Sequence, residues 1–262
     1  MLWTRVASGV VLAPLFLALV YFEFPTFHLL VAAIVGVMAW EFTRMDGQAG
    51  FKRRTLILTA SLVAVAAMSA GQPVIALLVI GIATIALVAA DQVAGRKGLF
   101  MVQIAVVYVA LPALSLLYVM ALDGSFSVFW LLAVVWATDI GAYAAGRIIG
   151  GPKLAPSVSP NKTWSGAVGG LVCAVLAGAG VWHWGAGQGM TLGLVLMTAG
   201  LSVVSQMGDL FESALKRRYQ VKDSGGLIPG HGGVMDRFDG LWAAAPAAAA
   251  LCLVSGGGVR AW

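Results

Sequence analysis

Charge is scarce in this chain. Only 16 of its 262 residues are Lys or Arg and 11 are Asp or Glu, 10% in all, against roughly 25% in an average soluble domain. That shortfall excludes a water-soluble globule of 27.1 kDa. Cysteine is almost missing as well. Cys173 and Cys252 both fall inside apolar runs, which excludes a disulfide framework and a Cys/His metal cluster. No internal repeat or inverted pair of halves stands out, and the one low-complexity tract is Ala243 to Ala250. The usual mark of a secondary transporter is therefore lacking.

Hydrophobicity is abundant: 60% of residues are apolar and the mean hydropathy is +0.93. A spanning helix needs about 20 mostly apolar residues. Nine apolar segments can be marked, at 7–24, 27–42, 55–71, 73–90, 99–121, 126–148, 165–184, 190–211 and 240–258. The first is longer than a signal-peptide core and shows no small-x-small cleavage site, so it reads as the first span. The expected fold is all-α, a polytopic integral membrane helical bundle of about nine transmembrane helices. It forms a single membrane-embedded domain over 1–262, with a hydrophobic front half at 1–125 and the polar loops in 126–262.

The basic residues test this count. Nine spans place Arg5, Arg44, Lys52, Arg53, Arg54, Arg96, Lys97, Arg147, Lys153, Lys162, Lys216, Arg217, Arg218, Lys222 and Arg237 on one face, leaving Arg260 alone on the other. By the positive-inside rule the N-terminus is cytoplasmic and the C-terminus outside. The same rule accounts for the net charge of +5, so no nucleic-acid partner is expected. Gly166, Gly170, Ala174 and Gly178 in the seventh span, and Ala137, Gly141 and Ala145 in the sixth, recur every four residues. Such faces let helices approach closely in lipid, and they permit a homodimer without requiring one.

Acidic residues are the scarcest informative type, and six of the 11 gather near the cytoplasmic ends of spans six, eight and nine. An ionisable residue within a span is a functional-site hypothesis by default. Asp139 lies about two turns inside span six, and Asp209 and Glu212 lie one turn apart in span eight. Glu212 also has Lys216 at i+4, a structural pairing. The stretch from Lys216 to Gly240 is expected to be a loop. Its glycines, Gly232 and Gly233 among them, bring backbone N–H groups close to an anion. Its acids Asp223, Asp236 and Asp239 beside basic residues suit a hard divalent cation with substrate phosphates. A second polar loop, Gly146 to Gly166, offers Arg147, Lys153 and Lys162 for phosphates, with Ser159 and Thr163 as neutral donors. Ser159 before Pro160 reads equally as a helix N-cap.

The run from Ser213 to Asp239, S-A-L-K-R-R-Y-Q-V-K-D-S-G-G-L-I-P-G-H-G-G-V-M-D-R-F-D, resembles the hallmark of the phosphatidate cytidylyltransferases, or CDP-diacylglycerol synthases. S-Q-M-G-D-L-F-E-S at 205–213, T-D-I-G-A-Y at 138–143 and S-P-N-K-T-W at 159–164 are similar to the family's other shared segments. The likeness covers roughly 136–240, and the front half matches only as hydrophobic helices. Ser165 stands where the family commonly has Glu.

The resemblance implies that CTP and phosphatidate give CDP-diacylglycerol and pyrophosphate with a divalent metal, taken as Mg²⁺, possibly with a second cation. On this reading Asp209 and Asp236 hold the metal, supported by Glu212, Asp223 and Asp239. Lys216, Arg217, Lys222 and Arg237 serve the phosphates with Lys162. Ser159, Thr163, Asp139, Tyr143, Gly232 and Gly233 complete the substrate contacts. His231, set between two glycines, donates a hydrogen bond to a phosphate or orders the loop more than it serves as a general base. The alternatives are a CTP-dependent transferase or kinase for another membrane lipid, or a transporter. A bacterial inner membrane, with the site facing the cytoplasm, is the expected location.

Overall fold

A computed structural model describes residues 2–45, 50–95, 103–187, 189–228 and 232–262. Among these residues lie nine α-helices, matching the nine apolar segments: α1 Leu2–Tyr21, α2 Thr26–Met45, α3 Phe51–Ser69, α4 Pro73–Val93, α5 Ala105–Asp123, α6 Ser125–Ile148, α7 Trp164–Ala186, α8 Leu192–Arg218 and α9 Met235–Ser255. A two-stranded antiparallel hairpin, β1 Lys153–Ala155 and β2 Ser159–Thr163, precedes α7. A short 3₁₀ turn, Val259–Ala261, closes the chain.

Seven of the described helices, α2 and α4 to α9, are long and apolar enough to cross a membrane. Helix α3 opens on Lys52, Arg53 and Arg54. The protein is thus an all-α polytopic membrane protein. Val74, Leu77, Leu78, Ile82 and Ile85 of α4 are exposed, as befits side chains whose solvent is lipid tails.

The chain divides into two compact units, Met1–Tyr118 with Val221–Arg237, and Val119–Gln220 with Phe238–Trp262. In the first, α2 packs on α1 and α3, and α3 on α4. Phe27, Val31, Val35, Met38 and Phe42 form the buried stripe of α2. Arg53 explains the low apolarity at the start of α3: Lys52 and Arg54 are exposed, whereas Arg53 turns inward to an ion pair with buried Asp91 of α4. Leaving either charge alone there would be costly.

In the second unit α7 lies against α6 along the small-residue faces read from the sequence. A methyl group added at Gly166 or Gly170 would sit 2.7 Å from the carbonyl oxygen of Ala142 or Thr138 respectively, so only glycine permits this approach. The seam is filled within one chain. Thr138 Oγ1 donates to Ser202 Oγ of α8 at 2.9 Å, and Gln206 Nε2 to the Ala167 carbonyl at 3.2 Å.

Three local features differ from expectation. Helix α8 continues to Arg218, so Lys216, Arg217 and Arg218 ride on its last turn. There they oppose the negative end of the helix dipole, and Lys216 bonds Glu212 one turn back. Helix α9 starts at Met235, so Asp236 and Asp239 are helical. Ser159 pairs with Ala155 in the hairpin and is not the cap of α7. That cap is Thr163, whose Oγ1 accepts from Gly166 N at 3.1 Å, because the helix begins four residues later than Pro160 suggested.

Candidate active site

Two polar clusters stand out, one in each unit. The cluster of the second unit is built where α8 and α9 touch. A methyl group on Gly208 would lie 2.7 Å from the Asp239 carbonyl oxygen, and one on Gly240 would lie 2.5 Å from Ser205 Oγ. Each glycine is the chain neighbour of an acid, Asp209 or Asp239. Backbone contact at the two glycines therefore gathers these carboxylates, and the charges of Asp209, Asp139 and Lys216 all act on Asp239.

Cations already attend this cluster. Lys162 Nζ, from β2, lies 2.5 Å from Asp209 Oδ2, so the hairpin delivers a lysine from far away in the sequence. Ser213 Oγ donates to Asp209 Oδ1 at a long 3.4 Å. Glu212 is fully buried and accepts from Lys216 Nζ at 3.0 Å. Gly240 N donates to Asp239 Oδ1 at 2.7 Å. Asp209, Asp239, Lys162 and Lys216 are only partly buried, which leaves the cluster reachable by a ligand.

Beyond Asp139, whose charge acts on Asp239, the other expected residues of this unit take positions of their own. Tyr143, exposed on α6, accepts from Arg147 Nη1 at 3.1 Å. Asp139 and Arg217 are exposed, and Ser159 is half-buried in β2. Thr163 is buried and spends its hydroxyl on capping α7.

The first unit holds the glycine loop, 221–234, and the first turn of α9. Ile228 N donates to the Gly232 carbonyl at 3.0 Å, and Gly232 has φ +83°, a conformation glycine adopts freely. His231 lies outside the described residues. Asp236 Oδ2 accepts from Ser224 N, Ser224 Oγ and Gly233 N, each at 2.9 Å. Lys222, Asp223 and Arg237 are exposed on the same loop and turn.

One residue of this cluster has no role in the sequence reading. Glu41, inside α2, is fully buried and accepts from Val234 N at 2.9 Å and Met235 N at 2.8 Å. Ser224 Oγ lies 3.3 Å from its Oε2. The available signal was a lone acid within an apolar helix, the rule that singled out Asp139 and Asp209.

The donor chemistry fits a hard divalent cation, since both clusters offer carboxylate oxygens beside lysine and arginine side chains. Among the described residues no three His, Cys, Asp or Glu side chains converge on one point. A cation held here would draw the rest of its shell from phosphate and water.

Comparison with known proteins bears on this arrangement. Residues 3–255 match the model of the cytidylyltransferase family. A protein named phosphatidate cytidylyltransferase from Brucella suis biovar 1 is 42% identical over 259 residues, covering 93% of this chain and 90% of that protein. One of the same name from Pseudomonas aeruginosa is 36% identical over 270 residues, covering 98% and 99%. A third, from Bacillus subtilis, is 50% identical over 113 residues, covering 43% and 42%.

Proposed function

The chain belongs to the cytidylyltransferase family, and from that premise we propose that it transfers CMP from CTP to phosphatidate, giving CDP-diacylglycerol and pyrophosphate. It is a membrane-embedded nucleotidyltransferase of phospholipid synthesis. In the reaction a phosphate oxygen of phosphatidate bonds to the α-phosphorus of CTP while the bond to the β-phosphate oxygen breaks. The nucleophile is a phosphomonoester with a second pKa of about 6, so it is largely anionic at neutral pH and needs no strong base. The protein's task is to bring two polyanions together and offset the charge that builds on the leaving pyrophosphate.

The observation that carries the site assignment is the Lys162–Asp209 pair at the α8–α9 contact, with Asp239 beside it. Asp209 and Asp236 are assigned to hold Mg²⁺, with Glu212, Asp223 and Asp239 in support. The ion would supply Lewis-acid neutralisation of phosphate charge. Lys162 and Lys216, each on a carboxylate in the free protein, are placed to exchange that partner for a phosphate. The glycine loop, with Lys222, Arg237 and the N–H groups around Gly232 and Gly233, is assigned to the nucleotide phosphates. Exposed Asp139, Tyr143, Arg147 and Arg217 are assigned to the lipid headgroup and membrane surface.

We further assign nine spans, with α1 and α3 counted among them, an N-terminus and active site on the cytoplasmic side, and a bacterial inner membrane as the location. The distribution of Lys and Arg supports this orientation.

The test is incubation of the purified protein in detergent with CTP, phosphatidate and Mg²⁺. Label on the α-phosphate should enter the lipid fraction and label on the γ-phosphate should leave as pyrophosphate. Lipid carrying only γ-label would instead identify a kinase.

A further inference from the structure

Glu41 lies outside the polar motif segments at 138–143, 159–164 and 205–239, in a helix that looks like plain membrane filling. A fully buried carboxylate needs hydrogen-bond partners, and those of Glu41 are all supplied by residues 183 to 194 positions later in the chain. Val234 N and Met235 N belong to the start of α9, whose first N–H groups have no partner within their own helix. Glu41 therefore caps α9 from a different helix, and its negative charge suits that helix's dipole.

The glycines of the loop are shaped around this side chain. A methyl group on Gly225 would come within 2.6 Å of Glu41 Oε1, and the three nearest atoms it would meet are all Glu41 atoms. On Gly233 it would lie 2.7 Å from both Glu41 oxygens. Ser224 stands between two carboxylates, with its hydroxyl 3.3 Å from Glu41 Oε2 and 2.9 Å from Asp236 Oδ2. Any shift of Glu41 is thus passed through Ser224 to Asp236.

We propose that Glu41 is a positioning residue for nucleotide binding: it sets the conformation of the glycine loop and the orientation of Asp236 without touching substrate. This rests on the cytidylyl-transfer reading and names the residue that organises the CTP-binding part of that site. Glu41→Gln keeps the shape of the side chain but turns an NH₂ toward backbone donors. It should loosen the loop while the protein still inserts.

The experiment compares purified wild type, Glu41→Gln, Glu41→Ala, Gly225→Ala and the double variant Glu41→Ala/Gly225→Ala. The readouts are elution profile, CTP binding without phosphatidate, and KM for each substrate. Glu41→Gln should elute as wild type, weaken CTP binding by on the order of 10- to 100-fold, and leave KM for phosphatidate unchanged. Gly225→Ala should impair CTP binding when Glu41 is present and add nothing when Glu41 is already Ala, the non-additivity of a shared contact. Wild-type CTP affinity in Glu41→Gln, or an equal effect of Gly225→Ala in both backgrounds, would overturn the proposal. Wild type that binds CTP but forms no CDP-diacylglycerol would instead sink the cytidylyl-transfer reading and leave the binding comparison standing.

Discussion

In the second unit the carboxylates of Asp209 and Glu212 face lysine side chains; in the first, those of Glu41 and Asp236 face backbone N–H groups and a serine. The two kinds of partner differ in what they can release. A lysine on a flexible stem can leave a carboxylate for an incoming phosphate and be replaced by a metal ion. A backbone N–H at a helix start cannot move without unwinding the turn it belongs to. Acids of one sequence class thus divide into exchangeable ones suited to chemistry and fixed ones that hold a loop.

The largest test of that division is Asp209→Asn. Removing the charge at the α8–α9 contact should lower kcat by about 100- to 1000-fold, the size of losing one group that stabilises developing charge. Raising Mg²⁺ should not restore it in correctly inserted protein. Near-normal turnover would show that the lysine-paired acids are only structural. Gly233→Ala probes the fixed cluster, because its methyl group would press on both Glu41 oxygens and Ser224. A loss of roughly 10- to 100-fold is expected, read as a rise in KM for CTP with the KM for phosphatidate unchanged. A silent Gly233→Ala would mean the loop is not clamped.

Lys162→Ala should cost about 1.5 kcal/mol, roughly tenfold in kcat/KM, and Lys162→Arg less. The half-exposed setting of this lysine limits the effect. An unaltered Lys162→Ala would remove the hairpin from the site. The smallest change should come from Ser213→Ala, whose bond to Asp209 is long. About 0.5 kcal/mol, or a factor of two in kcat/KM, is expected, and a loss as large as that of Asp209→Asn would reassign the hydroxyl to the chemistry.

Hydropathy marked the seven described helices that are long and apolar enough to cross a membrane, because a span is a long and nearly uniform signal. It misplaced their ends where polar residues continue a helix. Lys216 to Arg218 look like loop until the Glu212–Lys216 pair and buried Leu215 extend α8 past them. The hairpin before α7 escaped notice because 146–166 reads as a polar loop with Ser159 before Pro160 as a helix N-cap, whereas Ser159 pairs with Ala155 and Thr163 with Lys153. Within the site, Asp209 stood out as an ionisable residue within an apolar span, and Asp239 as an acid beside basic residues in a glycine-rich stretch. Glu41 was not, since its importance depends on a fold that brings position 41 to positions 224–235. No local pattern encodes that contact.

The central claim is that the protein makes a nucleotide–lipid bond at the Asp209 cluster, and phosphorus NMR of the reaction observes that bond directly. Wild-type protein with CTP, phosphatidate and Mg²⁺ should yield the two diphosphate-bridge resonances of CDP-diacylglycerol and an equimolar pyrophosphate signal, with Asp209→Asn giving neither on the same timescale. Free CDP beside a lipid pyrophosphate, or an Asp209→Asn spectrum identical to wild type, would contradict it.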